Sequence, residues 1–151
     1  MALRGPHCLL FLTLVLLAAS LAQLSEGASY RQFVTQHFDS PKTSAANDRL
    51  YCNRMMQSRG LTHVFCKRRN TFIHAPAGQL QAICSHGGTH VSLNLYDSLE
   101  SFNVTTCRVL PHSRPGHCRY RAAIGNTKIR VACAKGLPVH LQPTYLPQPW
   151  P

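Results

Sequence analysis

Apolar positions between residues 30 and 37 fall at helical spacing, and those further along the chain alternate with polar positions. Tyr30, Phe33, Val34 and His37 lie at i, i+3, i+4 and i+7, which is one face of a helix. His37 ends this apolar stripe, and spacing alone favours a partly buried core histidine over a functional one. The pattern predicts an amphipathic helix that packs against the body of the protein.

Two further helices are predicted after this one. Asn47 or Asp48 can cap a helix that runs to about Arg59, where Gly60 ends it. The stretch 79–84 is expected to form a third short helix or a turn. All the predicted helices therefore precede most of the strands.

The remainder of the chain consists of short alternating runs, which are typical of strands. We predict strands over 70–74, 91–96, 102–107, 119–124, 129–133 and 139–141. Gly and Pro positions separate them, among them the pair Gly125 and Asn126. Helices first and strands afterwards predict an α+β domain with a mainly antiparallel sheet. The proline-rich tail, 143–151, cannot join a central strand and is expected to be loose.

A segment of different character precedes this domain. An almost unbroken apolar run at 9–19 follows a positive charge and leads into small residues. It is shorter than the ~20 residues that a membrane-spanning helix needs. We expect a secretory signal peptide at 1–22, with cleavage after Ala22 or alternatively after Ala28, and a buried core helix is the weaker alternative. The mature protein is then an extracellular domain at 23–151 with no transmembrane segment.

The charge balance points to acidic partners. The chain has 16 Lys and Arg side chains against five Asp and Glu, a formal net charge of +11. Such an excess favours nucleic acid, anionic glycans or anionic membrane surfaces, and it does not choose among them. Five arginines form a cluster in the sequence, which we interpret as a solvated basic face that guides RNA through phosphate contacts. They are Arg49, Arg54, Arg59, Arg68 and Arg69.

The cysteines predict disulfide bonds. Of the seven, Cys8 lies in the expected signal peptide, and an even number remains in a small secreted domain. No two of these six form a C-x-x-C pair, so we predict no metal site and no cofactor. Their spacing leaves all 15 pairings open. The six are Cys52, Cys66, Cys84, Cys107, Cys118 and Cys133.

The most informative stretch is Cys-Lys-Arg-Arg-Asn-Thr-Phe at 66–72. It places Lys67 beside an expected disulfide anchor and a polar Asn-Thr pair at the start of a strand. His37 and His140 lie far from it in sequence. Two imidazoles and an ammonium can cleave RNA: one imidazole removes the 2′-hydroxyl proton and the other protonates the departing 5′ oxygen. The ammonium stabilises charge on the phosphorane.

Together these motifs resemble the pancreatic-type ribonuclease (ribonuclease A) family. Its signature C-K-x-x-N-T-F is intact at 66–72, and Gln-His at 36–37 and Pro-Val-His-Leu at 138–141 stand in the same order. The runs at 49–52 and 102–107 also match, so the resemblance covers about 30–141. With six cysteines in the expected mature chain rather than eight, the sequence resembles the angiogenin branch and leukocyte-type ribonucleases.

The resemblance implies a ribonuclease A-like fold in which short N-terminal helices pack on a bent antiparallel sheet. It implies an endoribonuclease that cleaves single-stranded RNA, tRNA included, 3′ to pyrimidines through a 2′,3′-cyclic phosphate. The core interpretation of His37 is thereby replaced. The implied catalytic residues are His37 as base, His140 as acid and Lys67. The implied substrate contacts are Gln36, Asn70, Thr71 and Leu141. The implied disulfides are Cys52–Cys107, Cys66–Cys118 and Cys84–Cys133.

Several positions depart from the angiogenin pattern. Pro143 stands where a glutamine obstructs the pyrimidine pocket, so we expect less self-inhibition here. Gln142 replaces an aspartate that helps to orient the catalytic imidazole. The arginine run used for nucleolar targeting is reduced to Arg59, so nucleolar uptake is not carried over to this chain.

Other features leave alternatives open. His74 is interpreted as structural, and Asn103 begins a glycosylation sequon that requires this side chain to face outward. The alternative functions are a cationic antimicrobial acting on bacterial surfaces and an angiogenic, cell-binding ligand, neither of which needs catalysis. Besides RNA, the family makes an acidic ribonuclease inhibitor an expected partner. The protein itself is expected to be a monomer.

Overall fold

The structure, a computed structural model, describes the backbone of residues 5–143 and the side chains of residues 8–17 and 30–143. Three helices and seven strands follow in chain order. The helices are α1 (Gly5–His37), α2 (Asp48–Ser58) and α3 (Ala77–Ala82). The strands are β1 (Arg69–Ile73), β2 (Gly88–Ser92), β3 (Leu95–Ser98), β4 (Phe102–Val109), β5 (Tyr120–Thr127), β6 (Arg130–Ala134) and β7 (Leu137–Leu141).

The two ends of helix α1 differ in how they pack. Its last turns carry Phe33, which is buried in the core as the stripe predicts. The large apolar side chains between Leu9 and Leu17 are instead 49–68% exposed and add nothing to that core. None of the helices within residues 5–143 is both long and apolar enough to span a membrane. The signal peptide and its cleavage site stay predictions.

The strands form two antiparallel sheets. One contains three strands in the order β1-β4-β5, and the other contains four in the order β2-β3-β6-β7. The predicted α+β class with antiparallel pairing is confirmed. Strand β7 includes Pro138, which has no N–H to donate, and it is tolerated because β7 lies at a sheet edge. Most of the proline-rich tail lies outside the described residues.

Strand β1 lies between the two hydrophobic clusters of the core. Phe72 packs beneath α2 with Tyr51 and Met56. Its neighbour Ile73 packs with Phe33 of α1 in the other cluster. Successive strand residues project to opposite faces, so a five-residue strand can join both clusters. This strand therefore fixes α1 and α2 relative to each other.

The structure contains the three disulfides that the resemblance implies. Cys52–Cys107 joins α2 to β4, and Cys66–Cys118 joins the segment before β1 to the segment before β5. Cys84–Cys133 joins the end of the α3 region to β6. Each closes a loop of about 50 residues and is worth ~2–4 kcal/mol.

Two strand predictions were wrong. The run 91–96 is not one strand, because the chain turns at Leu93, which has a φ of 47° and is 90% exposed. Its apolar alternation therefore did not reflect burial. Strand β5 also continues through Gly125 and Asn126, which pair with Val104 and Asn103 of β4 and do not form a turn.

The predicted second helix is confirmed together with both of its ends. The Asn47 side chain accepts a hydrogen bond from the backbone N–H of Leu50, which is the geometry of an N-cap. At the other end Gly60 adopts a φ of 75°, a conformation that favours glycine and ends the helix. Arg59 stands at this end.

Arg59 holds the last turn of α1. Its Nη1 donates to the carbonyl oxygens of Thr35 (2.6 Å) and Val34 (3.2 Å), and the Val34 oxygen also accepts from the backbone N–H of Phe38. Its Nη2 lies 3.7 Å from the buried carboxylate of Asp39, and its guanidinium lies over the ring of Phe72. Arg59, the arginine that remains of the nucleolar-targeting run, therefore has structural contacts with α1, Asp39 and Phe72.

We expect Arg59→Met to destabilise the protein. The change removes charge-assisted hydrogen bonds to α1 and leaves Asp39 without its cation, at a cost of about 1.5–3 kcal/mol. Arg54→Met is the matched control, since Arg54 lies on α2 itself but is exposed, and among the described residues its side chain donates to the carbonyl of Ser44. Denaturant unfolding measures both, and equal losses in the two variants would contradict the role of Arg59.

Candidate active site

A cleft of about 500 Å³ opens between the end of α1, the start of β1 and strand β7. All seven residues that the resemblance assigns to catalysis or substrate contact line it: Gln36, His37, Lys67, Asn70, Thr71, His140 and Leu141. They lie up to about a hundred positions apart in sequence. The fold thus brings together the groups whose meeting the sequence alone could not show, and their roles stay predictions.

The buried ring of His37 is held in one orientation. Its Nδ1 lies 2.8 Å from the backbone oxygen of Thr71 in β1. A carbonyl oxygen only accepts, so Nδ1 carries a proton and donates it. In the neutral ring this leaves Nε2 unprotonated, as a proton acceptor requires. The hydrogen bond therefore selects the tautomer that suits a general base.

Burial lowers the pKa of His37 to about 4. The hydrogen bond to Thr71 opposes this effect, whereas the positive charges of Lys67 and His140 add to it. Since only 8% of His37 is exposed, the charged ring loses most of its hydration. His37 is consequently neutral near pH 7 and ready to accept a proton.

Asn70 connects Lys67 to α1. The Nζ of Lys67 donates to Oδ1 of Asn70 at 2.9 Å. The amide nitrogen of Asn70 then donates to the backbone oxygen of Gln36 at 2.7 Å. Burial lowers the pKa of Lys67 from its ordinary value. Asn70 therefore positions Lys67, and the substrate contact that the resemblance implies for it stays a prediction.

Thr71 lies in the wall of the cleft beside its partner in the next strand. Thr71 pairs with Thr106 across β1 and β4, and the two hydroxyl oxygens are 3.0 Å apart. Either hydroxyl can be the donor. The Thr71 side chain can therefore present either a donor or an acceptor to a ligand.

His140 is exposed, in contrast to His37. It stands on the edge strand β7, which packs against α1, and its neighbour Leu141 anchors the strand in the core. Among residues 5–143, no side chain or backbone group forms a hydrogen bond with its imidazole. Gln142 holds the strand through a backbone bond to Arg130. The ring is thus placed by its strand and not by an orienting carboxylate.

The remaining candidates lie outside the cleft. His74 donates from Nδ1 to the backbone oxygen of Asp39, and its Nε2 accepts from the Thr105 hydroxyl, both at 2.8 Å, which fits a structural role. Asn103 is exposed on β4, so it faces outward as glycosylation requires, and it accepts a hydrogen bond from Asn126. Within the described part of the chain, no cluster of three or more His, Cys, Asp or Glu side chains could hold a metal.

Sequence reasoning missed two residues of the cleft. Arg68 and Arg69 both line it, although the pattern placed them on a solvated basic face. For Arg69 a signal was available, since it stands two positions before Thr71 on a strand and so shares its face. The basic residue type concealed that signal.

Comparison with known proteins agrees with this geometry. The family model "Pancreatic ribonuclease" matches residues 28–142. A ribonuclease of Chelydra serpentina is 49% identical over 111 residues, which cover 74% of this chain and 93% of that protein. Angiogenin of Mus musculus is 42% identical over 142 residues, or 93% and 94% of the two chains.

Solved structures show the same likeness. The crystal structure of green turtle egg white ribonuclease superimposes with a TM-score of 0.73 at 46% identity, covering 76% of this chain and 96% of that one. The family model alone spans well over half of the sequence. The chain is therefore a member of the pancreatic ribonuclease family.

Proposed function

We propose that this endoribonuclease cleaves single-stranded RNA on the 3′ side of pyrimidines by transphosphorylation. The observation that carries the proposal is the cleft in which a neutral, oriented His37 meets Lys67 and His140. The family accounts for RNA as the substrate. The mechanism and the base preference are inferred from the side chains that line the cleft.

In the first step His37 accepts the proton of the ribose 2′-hydroxyl through Nε2. The 2′ oxygen attacks phosphorus, and the bond to the 5′ oxygen of the next nucleotide breaks as protonated His140 donates a proton to it. A 2′,3′-cyclic phosphate results. Lys67 donates to a non-bridging oxygen on which negative charge develops, and Asn70 keeps its ammonium in position.

In the second step the two histidines exchange roles. His140, now neutral, accepts a proton from water, and the resulting hydroxide attacks phosphorus. Protonated His37 returns its proton to the 2′ oxygen as the cyclic ester opens to a 3′-phosphate. Both rings end in their starting states, so the cycle needs no other proton donor or acceptor.

Substrate contacts follow from the other residues of the cleft. Thr71 is proposed to read a pyrimidine through its backbone N–H and its hydroxyl, and Gln36 to contact the phosphate. Leu141 adds apolar surface beside the base. Pro143 lines the same cleft and has no amide that could compete for the hydroxyl of Thr71.

Secretion is proposed on two grounds. The exposed apolar part of α1 is suited to removal as a signal peptide. Three disulfides in a small domain are typical of an oxidising compartment. Action on cells or on bacterial surfaces stays a prediction from charge and resemblance.

Replacing either histidine tests the mechanism. We expect His140→Ala and His37→Ala each to lower kcat/KM on a fluorogenic uridine–adenosine substrate by about 10²–10⁴-fold, because each removes a proton-transfer group. His117→Ala is the control, since His117 is exposed and lies outside the cleft. Comparable activity of His140→Ala and the unaltered protein would exclude the proposed acid.

The pH dependence tests the environment of His37. Because its pKa is lowered to about 4, the ring stays neutral as pH falls from 7 to 5 and accepts a proton only below that range. NMR titration of the His37 ring should therefore show a midpoint well below ~6.5, the value of an unperturbed histidine. In Lys67→Gln the midpoint should rise, since one positive neighbour is lost. A midpoint near 6.5 in the unaltered protein would contradict the burial effect.

Replacing Pro143 tests whether the pyrimidine pocket is unobstructed. We expect Pro143→Gln to reduce turnover, because an amide there can compete with a pyrimidine for Thr71. One such hydrogen bond is worth ~0.5–1.5 kcal/mol, which corresponds to a roughly 2–12-fold effect on the rate. Pro143→Ala separates this effect from loss of the ring, and unchanged turnover in Pro143→Gln would count against the idea.

A further inference from the structure

The guanidinium group of Arg69 has unmet hydrogen-bonding capacity in the wall of the cleft. Its Nε and Nη2 atoms are shielded from solvent and have no hydrogen-bond partner among the described residues. These two nitrogens lie on one edge of the planar group and direct their hydrogens the same way. Leaving charged donors buried and unpaired is costly, and native proteins rarely do so without a functional reason.

Arg69 lies on the face of β1 that carries the proposed base-reading residue. Side chains two positions apart on a strand project to the same face, about 6.5–7 Å apart. Arg69 and Thr71 therefore stand side by side, and both line the cleft with Leu141. Asn70 between them is directed towards Lys67 and α1. The strand thus separates a catalytic side from a side suited to the base.

Apart from Arg68, the charged groups that line the cleft form two sets. Lys67 and His140 act on His37 and define the centre where phosphate reacts. Arg69 stands directly opposite Arg108 across β1 and β4. Burial, and then the charge of Arg108, lower the pKa of Arg69. The charge that acts on Arg69 is therefore that of Arg108 on strand β4, and not a charge of the reaction centre.

We propose that Arg69 is a specificity-determining residue that donates hydrogen bonds to the base held by Thr71 and so favours uridine over cytidine. The proposal rests on the ribonuclease mechanism given above and adds to it a choice between the two pyrimidines. It assigns a ligand to the unpaired donors of Arg69, which solvent does not reach in the free protein, so the side chain has to turn them towards the base on binding.

The chemistry of the bases supports this assignment. Uracil presents an oxygen acceptor at position 4, as thymine does, whereas cytosine presents an amino donor there. Arginine has five N–H donors and no acceptor, so it attracts the uracil oxygen and opposes the cytosine amino group. Because the Thr71 hydroxyl can donate or accept, it accommodates either base at N3. Discrimination between them has to come from a group fixed as a donor.

The test compares two dinucleotide substrates that differ only in the pyrimidine, uridylyl-adenosine and cytidylyl-adenosine. We expect the unaltered protein to prefer the uridine substrate, and Arg69→Met to reduce the ratio of the two kcat/KM values by about tenfold. The reduction should come from the uridine substrate, with the cytidine value changed less than about twofold. Arg69→Lys, which keeps the charge but loses the planar edge, should fall between the two.

Arg114→Met is the matched control. Arg114 is exposed and outside the cleft, so its replacement removes the same charge without altering the ratio. Unfolding measurements accompany both variants. Arg69→Met should be no less stable than the unaltered protein, because it removes unpaired buried donors. A large loss of stability would overturn the view that these donors lack a partner in the free protein.

The remaining outcomes separate this proposal from the mechanism on which it rests. If cleavage of both substrates disappears in His140→Ala but their ratio is unchanged in Arg69→Met, the proposal for Arg69 fails and the mechanism stands. Equal losses on both substrates in Arg69→Met, with a weaker dependence on salt, would indicate a phosphate contact and would also overturn it. Cleavage of neither substrate by the folded, unaltered protein would refute the proposed mechanism itself.

Discussion

The buried carboxylate of Asp39 is the interaction on which the geometry of the cleft depends. It accepts hydrogen bonds from the backbone and hydroxyl of Thr43 and from the hydroxyl of Tyr51, and it lies 3.7 Å from Arg59. Burial alone would raise its pKa, but these hydrogen bonds and the nearby His74 hold it below the ordinary value. A charge this deeply buried is tolerated only when its partners are all in place. The end of α1, where His37 stands, is thereby fixed against α2 and β1 as a unit.

The two histidines differ in environment in the way that their proposed roles require. Burial and the nearby positive charges favour a neutral His37 ring over the opposing effect of the Thr71 hydrogen bond, and that hydrogen bond, made through Nδ1, leaves Nε2 free. His140 is exposed on an edge strand and can exchange protons with water. Burial therefore gives two residues of the same type different surroundings, which suits the different roles proposed for them. The carbonyl of Thr71 orients the His37 ring, and its hydroxyl is the group proposed to contact the substrate.

Local signals predicted the fold better than they predicted the site. Helix α2 was predictable because its cap and its terminating Gly60 are encoded within a few residues. The disulfide pairing and the catalytic set needed the resemblance, since spacing alone left 15 pairings open and favoured a core role for His37. That residue is both buried and in the cleft, so the two interpretations were not true alternatives. The strand at 91–96 failed because the apolar Leu93 occupies an exposed turn. Arg69 was missed because the predicted strand began at residue 70 and the basic residue before it was interpreted as solvated.

The three disulfides interleave, and this determines how the protein responds to proteases. The loops 52–107, 66–118 and 84–133 overlap, so every peptide bond between Cys52 and Cys133 is spanned by at least one of them. A single cut in that region leaves the two pieces covalently joined. His37 and His140 lie in the flanks that no loop encloses. Cleavage between residues 38 and 51 would leave the peptide that carries His37 held by its packing alone, so in a protease-rich fluid the ends of the chain are the vulnerable part while its disulfide-linked centre survives.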